Sequence, residues 1–253
     1  MKLFDSHCHV HDERMPGGTG AAVEIARAAG VAAMVTVGCD RATSLAAIEA
    51  AGAYDDVWAT VGLHPHEAVH GVDTIVDLFD RPRVVAVGEA GLDYFYEHSP
   101  RPAQAKAFAS QIQLAQEHDL PLIIHTRDAW ADTFAILDAE GVPDRTILHC
   151  FTGGPDEARK GLDRNMFVSF SGIVTFKSAA DVQAAARLVP DANLLIETDA
   201  PYLAPVPHRG KPNQPAWVAD TARFVADLRD VAVDELAALT YANGLAAFPA
   251  IAH

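Results

Sequence analysis

Eight short runs of apolar and β-branched residues punctuate the chain, at 3–7, 32–37, 57–63, 84–89, 122–125, 146–149, 167–170 and 194–198. Most are near-continuously apolar rather than alternating, the pattern of strands buried on both faces of a parallel sheet. Between them lie stretches with the apolar spacing of amphipathic helices, among them 21–29, 43–51, 103–117, 129–139 and 179–188. A proline-rich segment, 201–215, carries Arg209, Lys211 and Asn213 and reads as a long ordered loop after the last strand. It leads into a C-terminal helical pair, 215–228 and 233–247. Strand and helix alternating in this way over about 250 residues predict a (β/α)8 TIM-like barrel in preference to an open doubly wound sheet. No fixed-period repeat or low-complexity linker divides the chain, so 1–253 is expected to be a single domain.

The ionisable residues follow this pattern. His7, His64, Glu89, His125, His149 and Asp199 each stand at the carboxyl end of a predicted strand, and in a barrel those ends converge on the face where active sites are built. Asp5, His7 and His9 are spaced i, i+2, i+4, so an extended strand turns them to one side. Two imidazoles there can ligate one divalent ion, with Asp5 orienting an imidazole from behind. Glu89 closes the apolar run 84–88 and needs a positive partner, because an unpaired buried charge costs several kcal/mol. That partner is a cation, which a carboxylate can bridge to a second, or alternatively Arg127. Asp93 is expected to position substrate or support the ligands. His125 and His149 share one phase on successive strands and suit a second metal position. Of the two carboxylates ending the last strand, Asp199 is expected as ligand and base, and Glu197 as an orienting group. In His64-Pro65-His66, the proline imposes a turn, which makes His64 a substrate contact. Cys8 and Cys150 should alternate away from the site as small core residues.

Composition narrows the partners. Nineteen basic against 34 acidic residues leave a net charge of −15, which opposes a broad basic surface for a polyanion. Any nucleic acid must be held locally at the site. The three cysteines have no paired spacing, no run approaches the roughly 18 apolar residues of a bilayer span, and the start turns polar too early for a signal peptide. A soluble cytoplasmic protein without a membrane partner is expected. No Gly-x-x-x-x-Gly-Lys loop or Gly-x-Ser-x-Gly elbow is present.

Five blocks taken together resemble one family: Asp5-Ser6-His7-Cys8-His9, Gly88-Glu89-Ala90-Gly91-Leu92-Asp93, His125-Thr126-Arg127, His149-Cys150-Phe151-Thr152-Gly153 and Glu197-Thr198-Asp199-Ala200-Pro201-Tyr202. In order, from residue 3 to about residue 245, the chain is similar to the TatD family of metal-dependent hydrolases in the amidohydrolase superfamily. The resemblance implies a TIM-like barrel with one to three divalent ions, usually two: His7, His9 and Asp199 at one, His125 and His149 at the other, and Glu89 between them. Zinc, manganese, nickel, iron or magnesium are the candidate ions. It also implies a deoxyribonuclease, including 3′-to-5′ exonuclease action on single strands. On this basis a metal-bound hydroxide is expected to attack phosphorus with Asp199 taking its proton. His64, Asp93, Arg127, Tyr202 and Arg209 are the expected substrate contacts, with Asp5 and Glu197 behind the ligands. The competing readings are an ester hydrolase such as an aminoacyl-tRNA deacylase, and a non-catalytic metal-binding module.

Overall fold

The apolar runs form one eight-stranded sheet in the computed structural model, which describes residues 1–252. The strands are β1 (Leu3–Cys8), β2 (Val31–Val37), β3 (Val57–Val61), β4 (Val84–Asp93), β5 (Leu122–Arg127), β6 (Ile147–Leu148), β7 (Phe167–Phe170) and β8 (Leu194–Ile196). Their spatial order is their sequence order, and every ladder from β1 to β8 is parallel. Around them lie α1 (Gly18–Ala28), α2 (Arg41–Ala53), α3 (Arg101–Glu117), α4 (Trp130–Glu140), α5 (Pro155–Leu162), α6 (Ala180–Leu188), α7 (Val218–Arg229) and α8 (Val233–Ala247). This is the expected barrel, with one departure. Between β3 and β4 the chain makes three 3-10 turns, Pro65–His70, Val72–Thr74 and Val76–Leu78, in place of an α-helix. Among the described residues no helix is long and apolar enough to cross a membrane.

Strand alternation divides the core. Leu122 and Ile124, Leu148, and Leu194 and Ile196 pack outward against the helices. Ile123, Ile147 and Leu195 pack instead with Phe4, Val35, Val85 and Phe248 inside the barrel. Two residues farther along the same inward faces come His125, His149 and Glu197, so the periodicity that fills the interior also delivers polar groups to its carboxyl end. The amino-terminal end is closed by aromatic packing. Phe248 stacks on Phe4 at 5.9 Å and 8°, and Tyr241 meets the same ring edge-on at 6.0 Å.

Two strands outrun their apolar pattern. β4 extends past Glu89, and β5 past His125, because they pair with each other out to Asp93 and Arg127. Gly91, at φ +137°, permits this approach, since a Cβ there would lie 2.0 Å from the His125 carbonyl oxygen. β6 and β8 are correspondingly shorter than expected, ending at Leu148 and Ile196. Between β8 and β1 the backbones share only a few bonds: Asp199 N–H donates to His7 O at 2.9 Å, and His9 N–H to Ala200 O at 2.7 Å. Side chains complete this seam. The Asp5 carboxylate accepts from Thr198 N at 2.9 Å and from Thr198 Oγ1 at 2.6 Å.

Candidate metal centre

Glu89 stands at the centre of the mouth, buried, and its two oxygens face different partners. Oε2 lies 3.5 Å from His7 Nε2 and 4.0 Å from His9 Nε2. Oε1 lies 3.0 Å from His125 Nδ1, 3.0 Å from His149 Nε2 and 3.5 Å from His64 Nε2. Asp199 joins the first group, with Oδ1 3.5 Å from His9 Nε2 and 3.8 Å from His7 Nε2. Asp199 adopts φ 56° just beyond β8, which frees it from the strand alternation and lets it reach His7 and His9.

The hydrogen bonds behind these rings determine which lone pairs point inward. His149 Nδ1 donates to Glu197 Oε1 at 2.9 Å, and the same oxygen accepts from Cys150 N at 2.8 Å. His9 Nδ1 donates to the Val37 carbonyl at 2.8 Å. In both rings Nε2 is then left as an acceptor aimed at carboxylate oxygens. Two acceptors facing each other repel unless a proton or a cation lies between them. His7 has the same need more acutely, since both of its ring nitrogens are buried without a hydrogen-bond partner. Separations of 3.0–4.0 Å between donor atoms match neighbouring ligands about 2.0–2.2 Å from one ion. The donor set of imidazoles and carboxylates therefore fits divalent transition metals.

Without ions the centre must hold protons instead. Burial acts to raise the Glu89 carboxyl, but the His149 imidazole, with the hydrogen bonds of His125 and His149, reverses this and holds it well below the usual carboxylate range. Burial likewise opposes charging His149, and Glu197 with Glu89 overcomes it, holding that imidazole well above its ordinary value. At His64 burial outweighs the neighbouring Glu89 charge and keeps the imidazole well below its ordinary range.

The other expected residues fall into place unevenly. Asp93 lies behind His125, its Oδ2 3.2 Å from His125 Nε2 and 3.0 Å from His66 Nε2. Asp5 orients no imidazole. Its partners are Thr198 and the His7 backbone N–H, because a register shift between Asp5 and Cys8 ends the uniform alternation. Arg127 does not pair with Glu89, and its guanidinium lies 3.9 Å from the Phe95 ring centroid. Tyr202 is half-exposed and accepts a hydrogen bond from Arg14 Nη2. Arg209 lies over Phe176 at 3.9 Å. Cys8 is a core residue as expected, but Cys150 is not. It lies beyond the end of β6 with φ 42°, partly exposed, and its Sγ is 3.2 Å from Ser171 Oγ. Two neighbours of the centre escaped sequence reasoning. Cys39 Sγ lies 3.7 Å from Glu89 Oε2, two residues beyond β2, where the strand-end rule applied to the histidines also points. His66 bonds Asp93, a contact that the His-x-His spacing by itself leaves open.

Comparison with known proteins matches residues 4–249 to the family described as TatD related DNase. The chain belongs to the TatD family of metal-dependent hydrolases. It is 43% identical over 249 residues to the metal-dependent hydrolase YcfH of Escherichia coli, covering 96% of this chain and 94% of that protein. It is 32% identical over 260 residues to a Salmonella typhimurium protein named 3′-5′ ssDNA/RNA exonuclease TatD, covering 98% of this chain and all of the other. Among solved structures, the TatD homologue YJJV of Escherichia coli superposes with a TM-score of 0.91 at 28% identity, over 98% of both chains. Within this TatD barrel, three groups of donors are close enough to share an ion among the described residues: His7, His9 and Glu89; His7, His149 and Asp199; and His64, Glu89 and His125. The last places the expected substrate contact His64 among the possible ligands.

Proposed function

We propose that the protein hydrolyses phosphodiester bonds of single-stranded nucleic acid, using two divalent ions held on either side of Glu89. The observation that carries this reading is the division of partners between the two Glu89 oxygens, His7 and His9 at Oε2 and His125, His149 and His64 at Oε1. In this reading His7, His9 and Asp199 would hold one ion and His125 and His149 the other, with the Glu89 carboxylate shared between them. Divalent ions bound there supply Lewis acidity, which makes water a nucleophile at neutral pH and offsets charge on the attacking and leaving oxygens. Asp199, at the rim, takes the proton of the attacking water on its carboxylate. Glu197 fixes the His149 ring, Asp93 fixes His125, and Asp5 holds the turn that carries Asp199. His64 faces the reacting phosphate. Arg127, Arg209 and Tyr202 meet the flanking parts of the strand, the two arginines supplying the local charge that a chain of net −15 requires.

The Salmonella relative named as a single-strand exonuclease supports this substrate class. The test is a panel of single-stranded oligonucleotides, duplexes and aminoacyl esters, given to protein stripped of metal and then reconstituted with zinc or manganese. Release of mononucleotides from the single strand, abolished by chelation, is the expected result. Hydrolysis of the esters with none of the oligonucleotides would move the reading to a carboxyl-ester hydrolase.

A further inference from the structure

Beyond the ligand cluster, the mouth carries two exposed aromatic platforms, each backed by an arginine. On the β4–β5 side, Phe95 is 56% exposed and Tyr96 50% exposed. The Arg127 guanidinium lies 3.9 Å from the Phe95 centroid and 4.7 Å from that of Tyr96. The two rings meet edge-to-face at 4.8 Å, and one face of Tyr96 is stacked on His98 at 5.5 Å and 6°. Their display is tied to the centre. Asp93 Oδ1 accepts from the backbone N–H of Phe95 and of Tyr96 at 2.9 Å, while its Oδ2 holds His125. On the β8–β1 side, Tyr202 is 43% exposed. Arg14 lies 4.6 Å from its centroid, and His9 meets the ring edge-on at 5.9 Å. Because β4 and β5 stand across the ring of strands from β8 and β1, the two platforms lie on opposite sides of the mouth.

Large aromatic rings left in water forgo the stabilisation of burial, and the core is closed without these three. Aromatic faces beside a guanidinium are what unpaired nucleobases stack on, whatever their sequence. Bases inside a duplex are already stacked on one another and cannot use them. Charge points the same way: among the described residues the Arg127 side chain has no carboxylate partner, so a positive charge stands free at the platform of an acidic chain. We infer that Phe95 with Tyr96, and Tyr202 opposite, stack the bases on either side of the scissile phosphodiester, and that this contact selects single strands. The inference rests on the nucleic-acid reading proposed above.

The experiment compares the reconstituted wild type with a Phe95→Ser/Tyr96→Ser variant and with the conservative Phe95→Trp/Tyr96→Phe variant. Each receives a single-stranded oligonucleotide with a normal base beside the scissile bond, and the same strand with an abasic residue there. A third strand with 2-aminopurine at that position reports stacking by fluorescence quenching, independently of turnover. Wild type should prefer the normal base in kcat/KM on the order of tenfold or more, given the usual strength of base–aromatic stacking. The serine variant should lose that ratio and the quenching together, and the conservative variant should keep both. A ratio that survives in the serine variant overturns the platform while leaving the hydrolase reading intact. The platform is equally overturned if that variant only converts a wild-type dimer to a monomer in sedimentation. If the wild type neither binds nor cleaves any oligonucleotide, the platform and the nucleic-acid reading both fall.

Discussion

Phe4 and His7 lie three residues apart on β1, each 1% exposed, and their surroundings differ in kind. Phe4 is packed against Phe248 and Tyr241 at the closed end of the barrel. His7 stacks on His149 at 3.6 Å with both ring nitrogens unpaired, facing two carboxylates. Burial at the first place lowers free energy by removing apolar surface from water. At the second it raises free energy, and only a ligand or protons can offset the cost of desolvating so many polar groups. One end of the molecule therefore stores stability and the other gives some of it up to hold a site. Substitutions at the two ends should separate these effects.

The largest separation should come from Glu89→Gln. Losing several kcal/mol of charge stabilisation should reduce kcat/KM by about a thousandfold or more, and the metal content of the purified variant should fall with it. Thermal unfolding of the stripped protein should change far less. Phe248→Ala should behave inversely. It opens a cavity beneath Phe4 and should cost about 3–5 kcal/mol of stability in denaturant titration, while activity at a temperature where the variant stays folded remains close to that of the wild type. A Phe248→Ala protein as stable as the wild type would show that the aromatic end is not where stability resides.

Such contrasts are partly legible in the chain. Ile123 with His125, Ile147 with His149 and Leu195 with Glu197 are adjacent inward positions, so period-two alternation predicts both their apolar and their polar members. Phe4 to His7 breaks that rhythm, and the register shift after Asp5 cannot be read from residue types. Uniform spacing therefore points Asp5 at an imidazole, when its partner Thr198 lies 193 residues away. Arg127 misleads similarly, because neither charge nor spacing says that Phe95 and Tyr96 will offer it their rings. α5 is short and mostly polar, with only Ala158 and Gly161 of its eight residues buried, so it offers no apolar run to read.

A smaller effect separates the two layers of the mouth itself. Glu197→Gln keeps the volume of the side chain but removes the charge that orients His149. Affinity for one ion should weaken about 10- to 100-fold, read by competition with a metal-sensitive dye, with folding nearly unchanged. The last change concerns the seam, and only its cost at low pH is small. Burial pushes the Asp5 carboxyl in the metal-free chain up to about 8, despite its bonds to Thr198. The folded value then exceeds the unfolded one, so its contribution is fully present below about pH 4 and is lost as pH rises toward 8. Asp5→Asn in stripped protein should therefore flatten the fall in stability between these limits, at a cost of about 1 kcal/mol or less at low pH. An unaltered slope in urea titrations across that range would remove Asp5 from the account.

The central claim is that Glu89 divides two ion positions. Anomalous scattering from crystals of the manganese- or zinc-loaded protein tests it most directly. The account predicts two peaks about 3.5–4 Å apart, one between Glu89 Oε2, His7, His9 and Asp199, the other between Glu89 Oε1, His125 and His149. Full occupancy at a single position that Glu89 does not touch, or ions bound only elsewhere on the barrel, would contradict it.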